Sequence, residues 1–287
     1  VAAIGNRGDG PGEYRRIATM LFSGDTLYVF DPAAARISFL SPTGRYLGGT
    51  ALPGSPIRAL LAPNGRFVIN SDIPSSEAIG LPLHVLNPAA SIEASFGVDT
   101  PWYRPDQDHL LIRTLAPADE SSFWASHRQE YTIERWTYGG RKLQTIQRSV
   151  DWFQPTLRYP SLHPDTVPPP ILGSVVQRGD QLWTLSRVAD PRWQEGLEEI
   201  TSESGRTAYG ISDPDRVFDT IVEILDVASG NLIHSSRLDM AFGSFLADGR
   251  LTRATYDGEG HVFIELWRAD WPGQTAGRSA SVTGAKR

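Results

Sequence analysis

Six histidines, His84, His109, His127, His163, His234 and His261, are the side chains best placed by type to move protons near neutral pH. None stands in an H-E-x-x-H metal pattern, and no G-x-S-x-G elbow is present, so nucleophilic catalysis has no support. The string Asp106-Gln107-Asp108-His109 is the best metal candidate, with Asp106 and Asp108 as ligands. Alternating acids beside one loop histidine are ordinarily just solvated, however, and no metal or other cofactor is expected. Arg16, Arg58, Asp108, His109, Arg113 and Asp239 form a mainly cationic set, poorly suited to a hard cation that needs six to eight oxygens. The catalytic alternative is a lyase or hydrolase using His109 and His163 with arginines such as Arg113 near the axis, since neutral His can act as base and Arg can stabilise an enolate or oxyanion. A different chemistry is offered by Trp102, Tyr103, Trp152, Tyr159, Trp193 and Tyr209, whose rings could stack on sugars or hold peptide side chains. The same rings could equally pack loops onto a scaffold.

The elements that must position these residues are short. In 287 residues there are 27 glycines and 21 prolines spread along the chain, so tight turns are frequent and long helices are not expected. No cysteine is present, which excludes disulfides and thiolate sites. A net charge of −6 and the lack of any apolar run near 20 residues argue against nucleic-acid binding and membrane insertion.

Turns recur with a fixed rhythm. One class comprises SGDTL from Ser23, PNGRF from Pro63, RGDQL from Arg178 and ADGRL from Ala247; the other comprises SPTGR from Ser41, NPAAS from Asn87, YGGRK from Tyr138 and ASGNL from Ala228. The runs between them are rich in β-branched and aromatic residues and read as strands. They group into five units of four strands, a to d, of which the fifth lacks strand d. Setting aside insertions and tail, each unit is close to the roughly 40–45 residues of a propeller blade. The fold class is therefore all-β, a β-propeller of four-stranded antiparallel blades in a single domain over 1–272, with insertions at 98–108, 151–170 and 191–218. The stretch 273–287 reads as a disordered tail. VAAIG at the start has the size of a strand d, which could close the ring or end an earlier blade lost by truncation. Trp193, Leu197 and Ile200 fall at i, i+4 and i+7 and predict a short amphipathic helix.

Topology alone places the b–c and d–a connections on one face of such a disc and the two turn classes on the other. Every long segment (73–80, 98–108, 151–170 and 191–218) belongs to the first face, and together they carry a formal charge of −7. That face is the expected binding face, attractive to cationic groups.

The opening IGNRGDGPGEY from Ile4, followed by TLYVFD from Thr26 and ARISFLSPTGRYL from Ala35, resembles the NHL-repeat-like six-bladed β-propeller proteins of bacteria, with their G-x-GPGE-F/Y element. The match covers about the first 50 residues and is architectural beyond them. The resemblance implies an exported bacterial binding or scaffold protein, periplasmic or extracellular, and six blades in the full-length protein. The resulting expectation is a non-catalytic, monomeric propeller recognising a protein, peptide or glycan. Asp31 and Arg36, across the b–c turn of the first unit, are expected to pair with one another.

Overall fold

The computed structural model describes residues 5–99, 104, 107–156, 161–201, 205, 207–256 and 262–269. Hairpins reverse where the turn residues predict: Gly24, Gly179 and Gly249 sit in the short a–b turns with φ of 52°, 61° and 81°, a region that costs a side chain but not glycine. Between the turns the strands pair antiparallel in chain order. Blade one is Thr19–Ser23, Thr26–Asp31, Arg36–Leu40 and Tyr46–Ala51; blade two is Arg58–Leu61, Phe67–Asn70, Leu83–Leu86 and Ile92–Phe96. Blade three is Arg113–Asp119, Ser122–His127, Thr132–Thr137 and Lys142–Gln147; blade four is Ile171–Arg178, Gln181–Ala189, Phe218–Asp226 and Leu232–Leu238. Blade five contributes Ser244–Phe245, Leu251–Tyr256 and Val262–Trp267. These sheets make an all-β propeller, and the one α-helix among the described residues is the four-residue Pro214–Val217.

Side chains alternate along a strand, so each blade offers one row to the blade before it and one to the blade after. Phe123 joins Val68, Val85 and Phe96 against blade two, while its neighbour Trp124 joins Leu172, Val175 and Leu182 against blade four. Leu182 and Trp183 divide in the same way between blades three and five. The middle strands are thus apolar on both sides, as in Phe67–Asn70, whose four residues are all buried. Strand d, at the rim, shows the opposite pattern, and in Leu232–Leu238 no residue is buried. Polar ties cross the same seams. Trp124 Nε1 donates to Gln177 Oε1 at 2.7 Å, and the buried Glu223 of blade four accepts from Tyr131 Oη at 2.6 Å and pairs with Arg148.

Three sequence expectations require correction. The segment 193–200 is not an amphipathic helix: a 3₁₀ turn, Trp193–Gly196, leads into a hairpin of Leu197–Thr201 and Thr207–Ile211. β-Branched Ile200, Thr201 and Thr207 and a loop glycine, Gly205 at φ 76°, favour that reversal over three apolar positions at helical spacing. The run HLLIRTL from His109, which reads from sequence as the first strand of blade three, becomes strand only at Arg113, because Asp108–Leu111 forms a 3₁₀ turn. Asp31 and Arg36 face one another in the ladder without pairing. Instead Asp31, fully buried, accepts from the backbone N–H of Arg15 (2.6 Å), Arg16 (3.1 Å) and Ala34 (3.1 Å), while Arg36 donates to the carbonyls of Asp9 (3.2 Å) and Glu13 (2.5 Å). Both side chains therefore clamp the entering segment, satisfying main-chain groups that no strand partner reaches. Val1–Ile4 of the proposed closing strand and the 273–287 tail lie outside the described residues.

Candidate functional site

Two of the concavities on the b–c and d–a face lie where connections of neighbouring blades meet. The larger, a groove of about 650 Å³, lies where the connections of blades one, two and three converge, and its lining includes Ile57, Asn70, Asp72, Asp108 and His109. Asn70 ends strand b of blade two, and its side chain replaces a missing strand partner. Nδ2 donates to the carbonyls of Pro82 and Leu111, both at 2.9 Å, and Oδ1 accepts from Arg113 N at 3.0 Å. One buried amide thus holds the b–c loop of blade two to the entry of blade three. Beside it, Asp72 Oδ1 is buried and has no hydrogen-bond partner among the described residues. The Asp72 carboxylate on the groove wall offers acceptors suited to an ammonium, guanidinium or amide donor.

The smaller cavity, about 170 Å³, lies between blades three and four. Ser161, Leu162, Pro168 and Pro169 of one insertion and Ile211 and Phe218 of the other wall it, over Arg128 and Arg187. The two insertions lean on one another, since Gln194 Nε2 donates to Pro164 O at 2.6 Å and His163 meets Tyr209 edge-on at 5.3 Å.

The residues singled out from sequence are dispersed. His109 is buried, lines the larger groove and lies 3.9 Å from Asp108. His163 is half exposed on the other insertion, 3.6 Å from Asp165. Arg113 is only 3% exposed and spends its guanidinium on the carbonyls of Leu110 (2.7 Å) and Ile112 (3.2 Å); burial pushes its pKa down to about 10. The structure thus keeps His163 apart from His109, with His163 on the second insertion and Arg113 turned to main-chain carbonyls. Of the aromatic residues, Trp152 packs on Tyr131 and Phe153, Trp193 is buried at 8% exposure, and Tyr209 is half-buried against His163. Trp102, Tyr103, Tyr159 and Asp106 lie outside the described residues.

Sequence reasoning missed two groups. His127, at the end of a blade-three strand, lies 3.5 Å from Glu130 and 3.4 Å from Glu134, and Lys142 donates to Glu134 at 3.0 Å. Burial disfavours ionisation of Glu134, but His127 and Lys142 outweigh it and hold the carboxyl at about 2. Burial also pushes His127 below its ordinary value, so the ring is neutral at pH 7 and gains its charge only on acidification. Pairing of strands b and c could have revealed this group. The second is Asp190, Asp219 and Asp239, whose carboxylate oxygens lie within 4.8 Å of one another. Arg237 donates to Asp219 at 2.6 Å and Arg192 approaches Asp190 at 3.5 Å, so arginine already answers two of these charges. His84, by contrast, is a satisfied core residue: Nε2 donates to Ser71 O at 3.1 Å and Nδ1 meets Ser95 Oγ at 2.8 Å.

No family model and no curated protein sequence matches the chain. Solved structures do. A DUF4221 family member from Bacteroides vulgatus is similar over 91% of this chain and 81% of its own, at 8% identity and a TM-score of 0.53. Virginiamycin B lyase from Staphylococcus aureus in complex with quinupristin, and BamB from Moraxella catarrhalis, both at 12% identity, are similar over 90% and 84% of this chain and 78% and 81% of theirs, with TM-scores of 0.44 and 0.38. The sheets and the first of these likenesses define the class: an all-β propeller of four-stranded antiparallel blades.

Proposed function

We propose that the protein is a binding propeller that takes its ligand on the b–c and d–a face, with the groove between blades one, two and three as the principal site. The observation that carries this reading is Asp72 Oδ1, a buried acceptor with no partner among the described residues, on the wall of a groove of about 650 Å³ beside Asp108. A carboxylate on the wall of a groove with both apolar and polar sides suits a ligand that presents donors, such as a basic peptide, a protein loop or an amino sugar. His163 stands on a different connection from His109, and the Arg113 guanidinium is committed to main-chain carbonyls, which favours binding over lyase or hydrolase chemistry. The opening motif adds the NHL-like, six-bladed and exported reading; a sixth sheet would cover the apolar residues exposed on the outer sides of blades one and five. No helix among the described residues is long and apolar enough to cross a membrane.

The test is an array of basic peptides and amino-sugar glycans probed with the wild-type protein and with Asp72→Asn. Retained ligands are expected to bind the variant roughly tenfold more weakly, the range of one hydrogen bond to a charged group. Ligands that bind Asp72→Asn and Asp108→Asn as well as wild type, and still bind after the insertion 191–218 is trimmed, would place recognition elsewhere.

A further inference from the structure

The larger groove is narrower in its chemistry than a general acceptor site. Connections from blades one and two and the entry to blade three make its walls, and main-chain contacts tie those walls together. Gly54, between blades one and two, lies so close to the b–c loop of blade two that a Cβ there would come within 2.7 Å of Ser71 Oγ and 2.8 Å of Asp72 O. Ile57 N donates to Asn70 O at 2.9 Å, and Leu52 N donates to Ala35 O at 2.9 Å. With Asn70 also holding Leu111 and Arg113, the three blades fix the width of the groove. A cleft held in this way selects its occupant by fit rather than by closing around it.

The lining then restricts what fits. Leu52, Ile57, Pro74 and Leu111 give the groove an aliphatic wall, and no Phe, Tyr or Trp lines it among the described residues. Sugar rings and guanidinium planes draw on aromatic faces, whereas an alkyl chain needs only apolar surface. Asp72 and Asp108 share the groove, and neither is bridged to a lysine or arginine among the described residues; His109 Nδ1 lies 3.9 Å from Asp108. Arg58, adjoining Ile57, turns its guanidinium to the Ile57 carbonyl at 2.9 Å and is not part of the lining. Asp72 Oδ1 is buried, so a guanidinium cannot lay its planar fork along both carboxylate oxygens. The charge, shared by both oxygens, is still felt in the groove, and a compact ammonium on a flexible stem needs no bidentate geometry to answer it.

We infer that the groove takes the side chain of a lysine from an extended segment of a partner protein, its alkyl stem on Leu52, Ile57 and Leu111 and its ammonium at Asp72. This rests on the reading that the groove is the ligand site and narrows the ligand to one residue type. A volume of about 650 Å³ exceeds a single side chain, so the groove also seats the main chain on either side of the lysine. Lysine suits such a wall because its stem covers apolar surface while its head keeps a polar partner.

The probes are blocked pentapeptides of glycine and serine with lysine, arginine, norleucine or Nε-acetyl-lysine at the centre, and a glucosamine tetramer, each titrated calorimetrically at low salt. The lysine peptide is expected to bind in the millimolar range or tighter, and roughly tenfold more tightly than the other three peptides. Asp72→Asn should abolish the preference for lysine over norleucine. Ile57→Ser should weaken lysine and norleucine peptides alike, by roughly fivefold, and keep the preference. Asp108→Asn, whose side chain is 57% exposed, should weaken the lysine peptide by roughly threefold and keeps the charge testable if Asp72→Asn does not fold. Arginine bound as tightly as lysine, norleucine bound as tightly as lysine, or no binding of the lysine peptide would each overturn the inference. If the glucosamine tetramer or a longer basic peptide then still binds in a way that Asp72→Asn weakens, the groove remains the ligand site and only the lysine assignment falls. A lysine preference unchanged in Asp72→Asn, Asp108→Asn and Ile57→Ser would remove the groove itself.

Discussion

Blade three and the outer sides of blades one and five are built from similar residues and end in opposite surroundings. Phe123 and Trp124, adjacent in one strand, are both fully buried, one against each neighbouring blade. In blade one, Met20 and Phe22 are 58% and 64% exposed, although they share a side with buried Leu27 and Val29. In blade five, Val262, Ile264 and Leu266 are likewise exposed, on the side turned away from Leu251 and blade four. A blade therefore does not bury its own apolar rows; its neighbours do. Blade one covers part of its outer side with the entering segment, through Tyr14 on Leu27, Val29 and Leu40.

The difference can be broken most severely at the centre. Trp124→Ala should cost about 3–5 kcal/mol in urea denaturation, the range for emptying an aromatic-sized site at a packed seam; a loss below about 1 kcal/mol would mean that the seam is not tightly packed. Acid acts next, and in blade three it acts through Glu134 and His127. Glu134 has its pKa depressed, so its contribution is complete above the unfolded value near 4.5 and is lost as pH falls toward 2. His127 is depressed as well and takes up its proton more readily when unfolded, so it too favours unfolding on acidification. Melting temperature should fall between pH 4.5 and 2, and less so in Glu134→Gln; identical profiles would remove the group from the account. Asp31→Ala should cost about 2 kcal/mol, because three partly buried amides lose a charged acceptor. That loss should expose Tyr14 and Leu27 together, which tryptic cleavage near Arg15 would report. The smallest effect is expected at the outer sides, where Met20→Thr and Ile264→Thr should each change stability by under about 0.5 kcal/mol. A larger cost would reveal that another sheet or partner covers them in solution.

What could be read in advance follows the same division. Strands b and c carry apolar runs such as Phe67, Val68 and Ile69 because both sides are buried, so strand pairing and blade order were legible. The entry to blade three was not, since His109, Leu110 and Leu111 look like strand residues and only the tertiary position of the groove turns them into a 3₁₀ turn. The face of the candidate site followed from connection lengths. Its lining did not: Ile57, Asn70 and His109 belong to three separate stretches of the chain and meet in one groove only after folding. Asp31 and Arg36 show a further limit, because nearness in sequence and ladder gave them each other, while unpaired main-chain groups of the entering segment claimed both.

Asn70 has a consequence for the kinetics of recognition. Three hydrogen bonds from one buried amide fix the floor of the larger groove before any ligand arrives. A floor already held in place has little rotational freedom left to surrender on association, so less of the interaction energy is consumed in ordering the receptor. Association at this groove should then proceed at the speed of encounter and orientation, without a slow conformational phase, and affinity differences between ligands should appear as differences in how long they stay.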